Sequence, residues 1–197
     1  MTSQRIDASH SKNHAECYSH SLIVPVWLCH EQGCQEKELV YALLDNQSDA
    51  WFSKESVLEK LQLCGPQVQL RLSMILAEEV IECERIDGLT VQGFNEATSI
   101  RLPGAHSRED IPARQGQIQR PETAQNWPLL VLIAQQLMPY RKDIEVGLLI
   151  GTNCTRAIKP TEVIHGREDN PYTKKAALGW SVISVVSPIK NEEDDGH

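Results

Sequence analysis

Aromatic residues make up only 5% of this 197-residue chain, so its core must rest mainly on Leu, Ile and Val. No apolar run approaches the roughly 20 residues that a bilayer-spanning helix needs. The segment Met1 to His20 is polar and lacks the apolar stretch of a secretory signal, so a cytoplasmic location is expected. Basic residues are also in short supply, 19 against 27 acidic ones, for a formal charge of −8. A general nucleic-acid binder normally carries a basic face, and that class is set aside. The cysteines are Cys17, Cys29, Cys34, Cys64, Cys83 and Cys154. Without a secretory signal they are expected as reduced thiols rather than a disulfide framework. Cys17, His20, Cys29, His30 and Cys34 fit no standard zinc-ligand spacing, so neither a metal nor another cofactor is expected. There is no internal repeat.

What is present is an ordinary globular composition, 41% hydrophobic and 23% charged, long enough for one domain with some decoration. Residues 1–20 read as a flexible leader, 21–187 as the domain, and 188–197 as an acidic disordered tail containing Glu192-Glu193-Asp194-Asp195. Ser21 to Leu28 reads as a strand that Pro25 confines to an edge or first position. Glu38 to Leu44 is a second strand, apolar on both faces and therefore buried, and the loop between them suggests a hairpin. Ser53 is expected to cap a helix over Lys54 to Leu63 with Val57, Leu58 and Leu61 as its apolar stripe, stopped by Gly65-Pro66.

Val68, Leu70 and Leu72 alternate with polar residues as a half-buried strand does. Further strands are expected at Val80–Cys83, Leu89–Val91 after an Asp87-Gly88 turn, and Ser99–Leu102. Pro103 to Pro121 has no periodicity and is expected as an exposed, mobile loop. Pro121 opens a helical pattern that Pro128 divides. Glu145 to Gly151 is a buried strand ending in glycine, and Thr152 to Ile158 a short helix. Val163-Ile164, Tyr172-Thr173 and Leu178 to Val186 are expected to complete the sheet.

The run Val40-Tyr41-Ala42-Leu43-Leu44-Asp45-Asn46-Gln47-Ser48 carries the chemistry. A buried strand delivers one carboxylate into a turn of small polar residues. Two such carboxylates about 3 Å apart cannot both ionise, so one keeps a proton. The ionised member then acts as general base on a shared water while the protonated one donates to a scissile carbonyl oxygen. A hydroxyl residue and a glycine normally follow each Asp. Here Asn46 and Gln47 occupy those places and Ser48 follows. No second Asp-(Thr/Ser)-Gly occurs in the chain, so one chain supplies at most one catalytic Asp, and if the site works it works as a symmetric homodimer with Asp45 from each subunit. The apolar strand end Leu149-Ile150-Gly151 lies far downstream.

Taken in order, several segments resemble the aspartic peptidase domain of Pao/BEL-type retrotransposon polyproteins, a retropepsin-like family. They are Ile23-Val24-Pro25-Val26-Trp27, Tyr41 to Asp45, Ser48-Asp49, Gly65-Pro66 with Val68 to Leu72, and Gly88-Leu89 with Val91, Gly93 and Phe94. Arg120-Pro121, Trp127-Pro128, Val146 to Gly151 and Leu178-Gly179-Trp180 complete the set. The resemblance covers about Leu22 to Val186. In retropepsin folds a strand such as the one ending Leu149-Ile150-Gly151 passes beneath the Asp loop. It implies a mainly β fold, a retropepsin-like acid-protease barrel half with one or two short helices, and a flap-like hairpin within Leu70 to Leu102. It also implies a homodimer that cleaves a peptide or polyprotein substrate, with Asp45 catalytic, in the cytoplasm or a retroelement particle. No partner nucleic acid or membrane is implied for this domain.

Asn46 offers no hydroxyl, although its amide can hydrogen-bond across a dimer. Gln47 carries a steric cost if its position needs positive φ. Asn153 stands where many relatives have Asp. The alternative reading is a catalytically inactive retropepsin-like interaction domain. No reverse-transcriptase or integrase segment follows, so a fragment or domesticated remnant is expected.

Overall fold

The computed structural model describes residues 18–19, 22–33, 36–73, 78–166, 170–183 and 185–186. In chain order the strands begin with β1 (Tyr18–Ser19), β2 (Ile23–His30), β3 (Glu38–Leu44) and β4 (Phe52–Lys54), followed by helix α1 (Glu55–Lys60). Then come β5 (Gln67–Ser73), β6 (Glu78–Ile86), β7 (Leu89–Gly93), β8 (Ser99–Arg101) and β9 (Ala105–Arg108). Two short helices, α2 (Pro121–Gln125) and α3 (Val131–Ala134), precede β10 (Val146–Ile150) and α4 (Thr155–Ile158). The last strands are β11 (Glu162–Ile164), β12 (Tyr172–Ala176), β13 (Gly179–Ile183) and β14 (Val185–Val186).

The protein is mainly β. Nine strands form one mixed sheet in the order β5-β6-β9-β4-β10-β3-β2-β7-β8, an open sheet rather than a closed barrel. The expected hairpin is present: β2 runs antiparallel to β3, with Ile23 opposite Leu43 and Leu28 opposite Glu38. However, β2 is interior, because β7 pairs with its other side from Val26 onward. Pro25 is tolerated there because it lies where the β7 ladder ends. Its carbonyl takes the Phe94 N–H at 3.0 Å, so its nitrogen faces the same way, beyond Gly93. The Tyr41 N–H opposite it turns instead to Glu145 O, at 2.9 Å.

Three other expectations are corrected. Residues 103–121 are not simply an exposed mobile loop. They contain β9, which pairs in parallel with β4 and antiparallel with β6 inside the sheet, and Ala105, Ser107, Ile111, Ile118 and Gln119 are buried. The inward residues of β9 are small or polar, so pairing rather than apolar alternation places the strand.

Ser53 does not cap α1. It belongs to β4, fully buried with no partner for its hydroxyl, and Lys54 stands at the cap position without a side-chain bond. The helix ends earlier than expected. Gln62 adopts φ 54°, with its N–H on Glu59 O at 3.0 Å and the Leu63 N–H on Leu58 O at 2.9 Å. That is a left-handed Schellman stop made without glycine. Gly65 serves another purpose: a Cβ there would sit 2.0 Å from Arg85 O.

The third correction concerns the C-terminal strands. β11, β12 and β13 form a separate three-stranded sheet rather than completing the large one. Of the expected leader, residues 18–19 are described and pair with residues 185–186. The remaining leader residues and the tail 188–197 lie outside the described residues.

The faces of the large sheet bury different clusters. Val24, Val26, Val40, Ala42, Leu44, Trp51, Leu148 and Ile150 belong to one, which also packs Val57 and Leu58 of α1. Ile23, Tyr41, Phe52, Met138, Val146 and Leu149 belong to the other, with Leu39 and Leu43 partly buried against it. By strand alternation Asp45 follows Tyr41 and Leu43 on this second face. The hairpin β5–β6 lays Leu70, Leu72 and Ile81 against the same cluster.

Candidate active site

The strands on either side of the Asp45 turn do not pair with each other. β10 runs between them, parallel to β3 (Leu149 opposite Leu43, Ile150 opposite Leu44) and antiparallel to β4 (Leu149 opposite Phe52). All five residues of β10 are buried, as its uninterrupted apolar sequence requires for a strand covered on both faces. The chain leaving β3 at Asp45 must therefore cross over the end of β10 to reach β4. Leu149, Ile150 and Gly151 thus lie at the end of β10 that the Asp45 turn crosses.

The crossing is held by main-chain and short side-chain contacts. The Asp45 N–H donates to Ile150 O at 2.9 Å. Asp45 Oδ1 accepts the Gln47 N–H at 2.9 Å, an Asx turn that orients the carboxylate. Ser48 Oγ lies 3.2 Å from the Ala50 nitrogen and 3.0 Å from its oxygen. The Ser48 carbonyl takes two donors from one residue, the Thr152 N–H at 2.7 Å and Thr152 Oγ1 at 3.0 Å. Gly151 allows this approach: a Cβ there would be 2.4 Å from Ala50 O and 2.7 Å from Ser48 O.

Asp45 and Ser48 are partly buried, while Asn46, Gln47 and Asp49 are exposed. Among the described non-glycine residues only Gln62 has positive φ. Gln47 therefore occupies an ordinary backbone region, and the steric cost of replacing a glycine does not arise. The exposed Asn46 leaves its amide open to solvent or to another chain.

The base of β10 is tied down by charge. Glu145 Oε1 meets Lys60 Nζ at 2.9 Å, and its other oxygen meets Lys54 Nζ at 3.4 Å and Ser56 Oγ at 2.9 Å. Lys60 also reaches Glu38 at 3.3 Å, and Lys54 reaches Asp110 at 3.4 Å. Burial alone would raise the Glu145 pKa, but hydrogen bonds from Lys60 and Ser56 and the two ammonium charges outweigh it and hold the pKa below the usual carboxylate range. The Lys60 pKa is raised, chiefly by its hydrogen bond to Glu145. That of Lys54 is raised as well, since its bonds to Asp110 and Glu145 outweigh desolvation. This network joins β3, β4, α1 and β10 at the end opposite Asp45.

Among the described residues no group of three or more His, Cys, Asp or Glu side chains is placed to hold a metal ion. Cys17, His20 and Cys34 lie outside the described residues. Cys29 is buried in β2, and both His30 ring nitrogens are engaged, Nε2 with Asp87 O at 3.1 Å and Nδ1 with the Gln32 N–H at 3.3 Å. Sequence reasoning missed Thr152, whose only signal was its place directly after Ile150-Gly151. It also missed Trp51, which is fully buried among the residues below the turn with no partner for Nε1.

No family model, curated protein or solved structure matches the chain. Among the described residues no helix is long and apolar enough to cross a membrane.

Proposed function

We propose that this chain is a retroelement-derived aspartic endopeptidase of the retropepsin type, with Asp45 from each of two subunits forming the catalytic dyad. The observation that carries this reading is the crossing of the Asp45 turn over β10, between two strands that both pair with β10. A partly buried carboxylate held in an Asx turn suits general acid–base work. Its Oδ1 is fixed by Gln47 and its turn is anchored to Ile150 and Thr152. The second carboxylate must come from another copy, since the sequence supplies one such turn.

In the dyad, the ionised Asp45 takes a proton from the shared water as the water oxygen bonds to the scissile carbonyl carbon. The protonated Asp45 gives its proton to the carbonyl oxygen, forming a tetrahedral diol. Collapse breaks the C–N bond. One proton returns from a diol hydroxyl to the dyad and another passes to the leaving nitrogen, so the dyad again shares one proton. Leu70, Leu72 and Ile81 of the β5–β6 hairpin pack against the apolar cluster on the sheet face to which Asp45 belongs, and in this reading the hairpin serves as the flap over an extended peptide. The substrate is a peptide or polyprotein, met in the cytoplasm or a retroelement particle.

The test is peptide cleavage by purified protein from acidic to near-neutral pH. The proposal expects cleavage that a statine-type inhibitor blocks and that Asp45→Asn abolishes. A dimer without inhibitor-sensitive cleavage would instead be the inactive interaction domain.

A further inference from the structure

We infer that the Thr152 hydroxyl is a positioning group for the catalytic carboxylate, holding the Asp45 turn in its working geometry from the far side of Gly151; this rests on the peptidase reading above. Thr152 opens a 3₁₀ turn, Thr152–Cys154, where a threonine hydroxyl commonly bonds to a nearby main-chain group of its own turn. It does not do so here. The cap position of that turn is Gly151, without a side-chain bond, and Thr152 Oγ1 reaches back to Ser48 O at 3.0 Å. Together with the Thr152 N–H at 2.7 Å it uses both lone pairs of that carbonyl.

The Ser48 peptide plane is the last of the turn that begins at Asp45. The carboxylate is oriented by the Gln47 N–H, two peptide planes earlier, and Ser48 Oγ closes the turn onto Ala50. A hydroxyl that fixes the Ser48 plane therefore limits the direction of the Gln47 N–H, and through it the direction of Asp45. The main-chain bond alone leaves that plane free to rock about a single contact. Thr152 Oγ1 bonds to the main chain of the turn, so its effect on Asp45 passes through the turn. Misplacing a catalytic group by a fraction of an ångström lowers turnover more than binding.

The experiment compares wild type with Thr152→Val and Thr152→Ser in the full chain, following inhibitor-sensitive peptide cleavage and amide hydrogen exchange at Gln47. Valine keeps the shape and removes the donor; serine restores it. The expected result for Thr152→Val is kcat lower by about fivefold or more with KM within twofold, and faster Gln47 exchange at an unchanged melting temperature. Thr152→Ser should recover most of both. Active wild type with Thr152→Val indistinguishable in kcat and in Gln47 exchange overturns the inference and leaves the peptidase reading standing. A wild type without inhibitor-sensitive cleavage overturns the peptidase reading, and the positioning role with it.

Discussion

The α-carbon of Gly151 lies so close to Ala50 that a Cβ on it would stand 2.4 Å from the Ala50 carbonyl oxygen. Two segments remote in sequence thus meet backbone to backbone, directly beneath the candidate catalytic turn. Gly151→Ala must push either the turn or β10 aside, and neither neighbour is a flexible side-chain end. The expected cost is about 2–3 kcal/mol of stability, with loss of any cleavage activity, measured by urea denaturation and a peptide assay. Wild-type stability in this variant would mean that the crossing is looser than described.

Gln62 supplies a contrasting case. It holds φ 54° in a Schellman stop where glycine has no steric penalty. Gln62→Gly is expected to raise stability by about 0.5–1 kcal/mol, the left-handed strain removed being partly offset by the greater freedom of glycine in the unfolded chain. The midpoint of urea unfolding should rise with an unchanged slope.

The Glu145 network predicts a dependence of stability on pH. Because the Glu145 pKa is lowered by folding, its contribution is present above the unfolded carboxylate pKa and is lost as pH falls through the folded value. The raised pKa values of Lys54 and Lys60 act on the other side. Their contribution is complete below the unfolded lysine pKa and is lost as pH rises through the folded values. Glu145→Gln should therefore cost about 1 kcal/mol near neutral pH, a modest figure because Lys60 remains 48% exposed, and the cost should shrink toward strongly acidic pH. Thermal melts of both proteins across pH check this, and parallel curves would contradict it.

The parts of this architecture that local sequence reveals are those set by side-chain period. The buried run before Asp45, the alternation of Val68, Leu70 and Leu72, and the apolar run of β10 all read correctly. The contacts that make the candidate site are set by pairing across the chain, which leaves no local trace. Nothing in Ala105-His106-Ser107-Arg108 marks an interior strand, because its place comes from β4 and β6. Ser53 has the residue type of a helix cap, yet pairing with β10 draws it into a strand. Thr152 gains its role only when β10 delivers it to the Ser48 carbonyl. Gln47 was legible as a departure from glycine, but its ordinary backbone region depends on how the turn crosses Gly151.

Whether two Asp45 carboxylates act together is read by mixing wild type with Asp45→Asn at constant total concentration. If subunits exchange freely and each active dimer needs both carboxylates, inhibitor-sensitive cleavage should fall as the square of the wild-type fraction, with none in pure Asp45→Asn. A linear fall, or cleavage surviving in pure Asp45→Asn, would contradict the account.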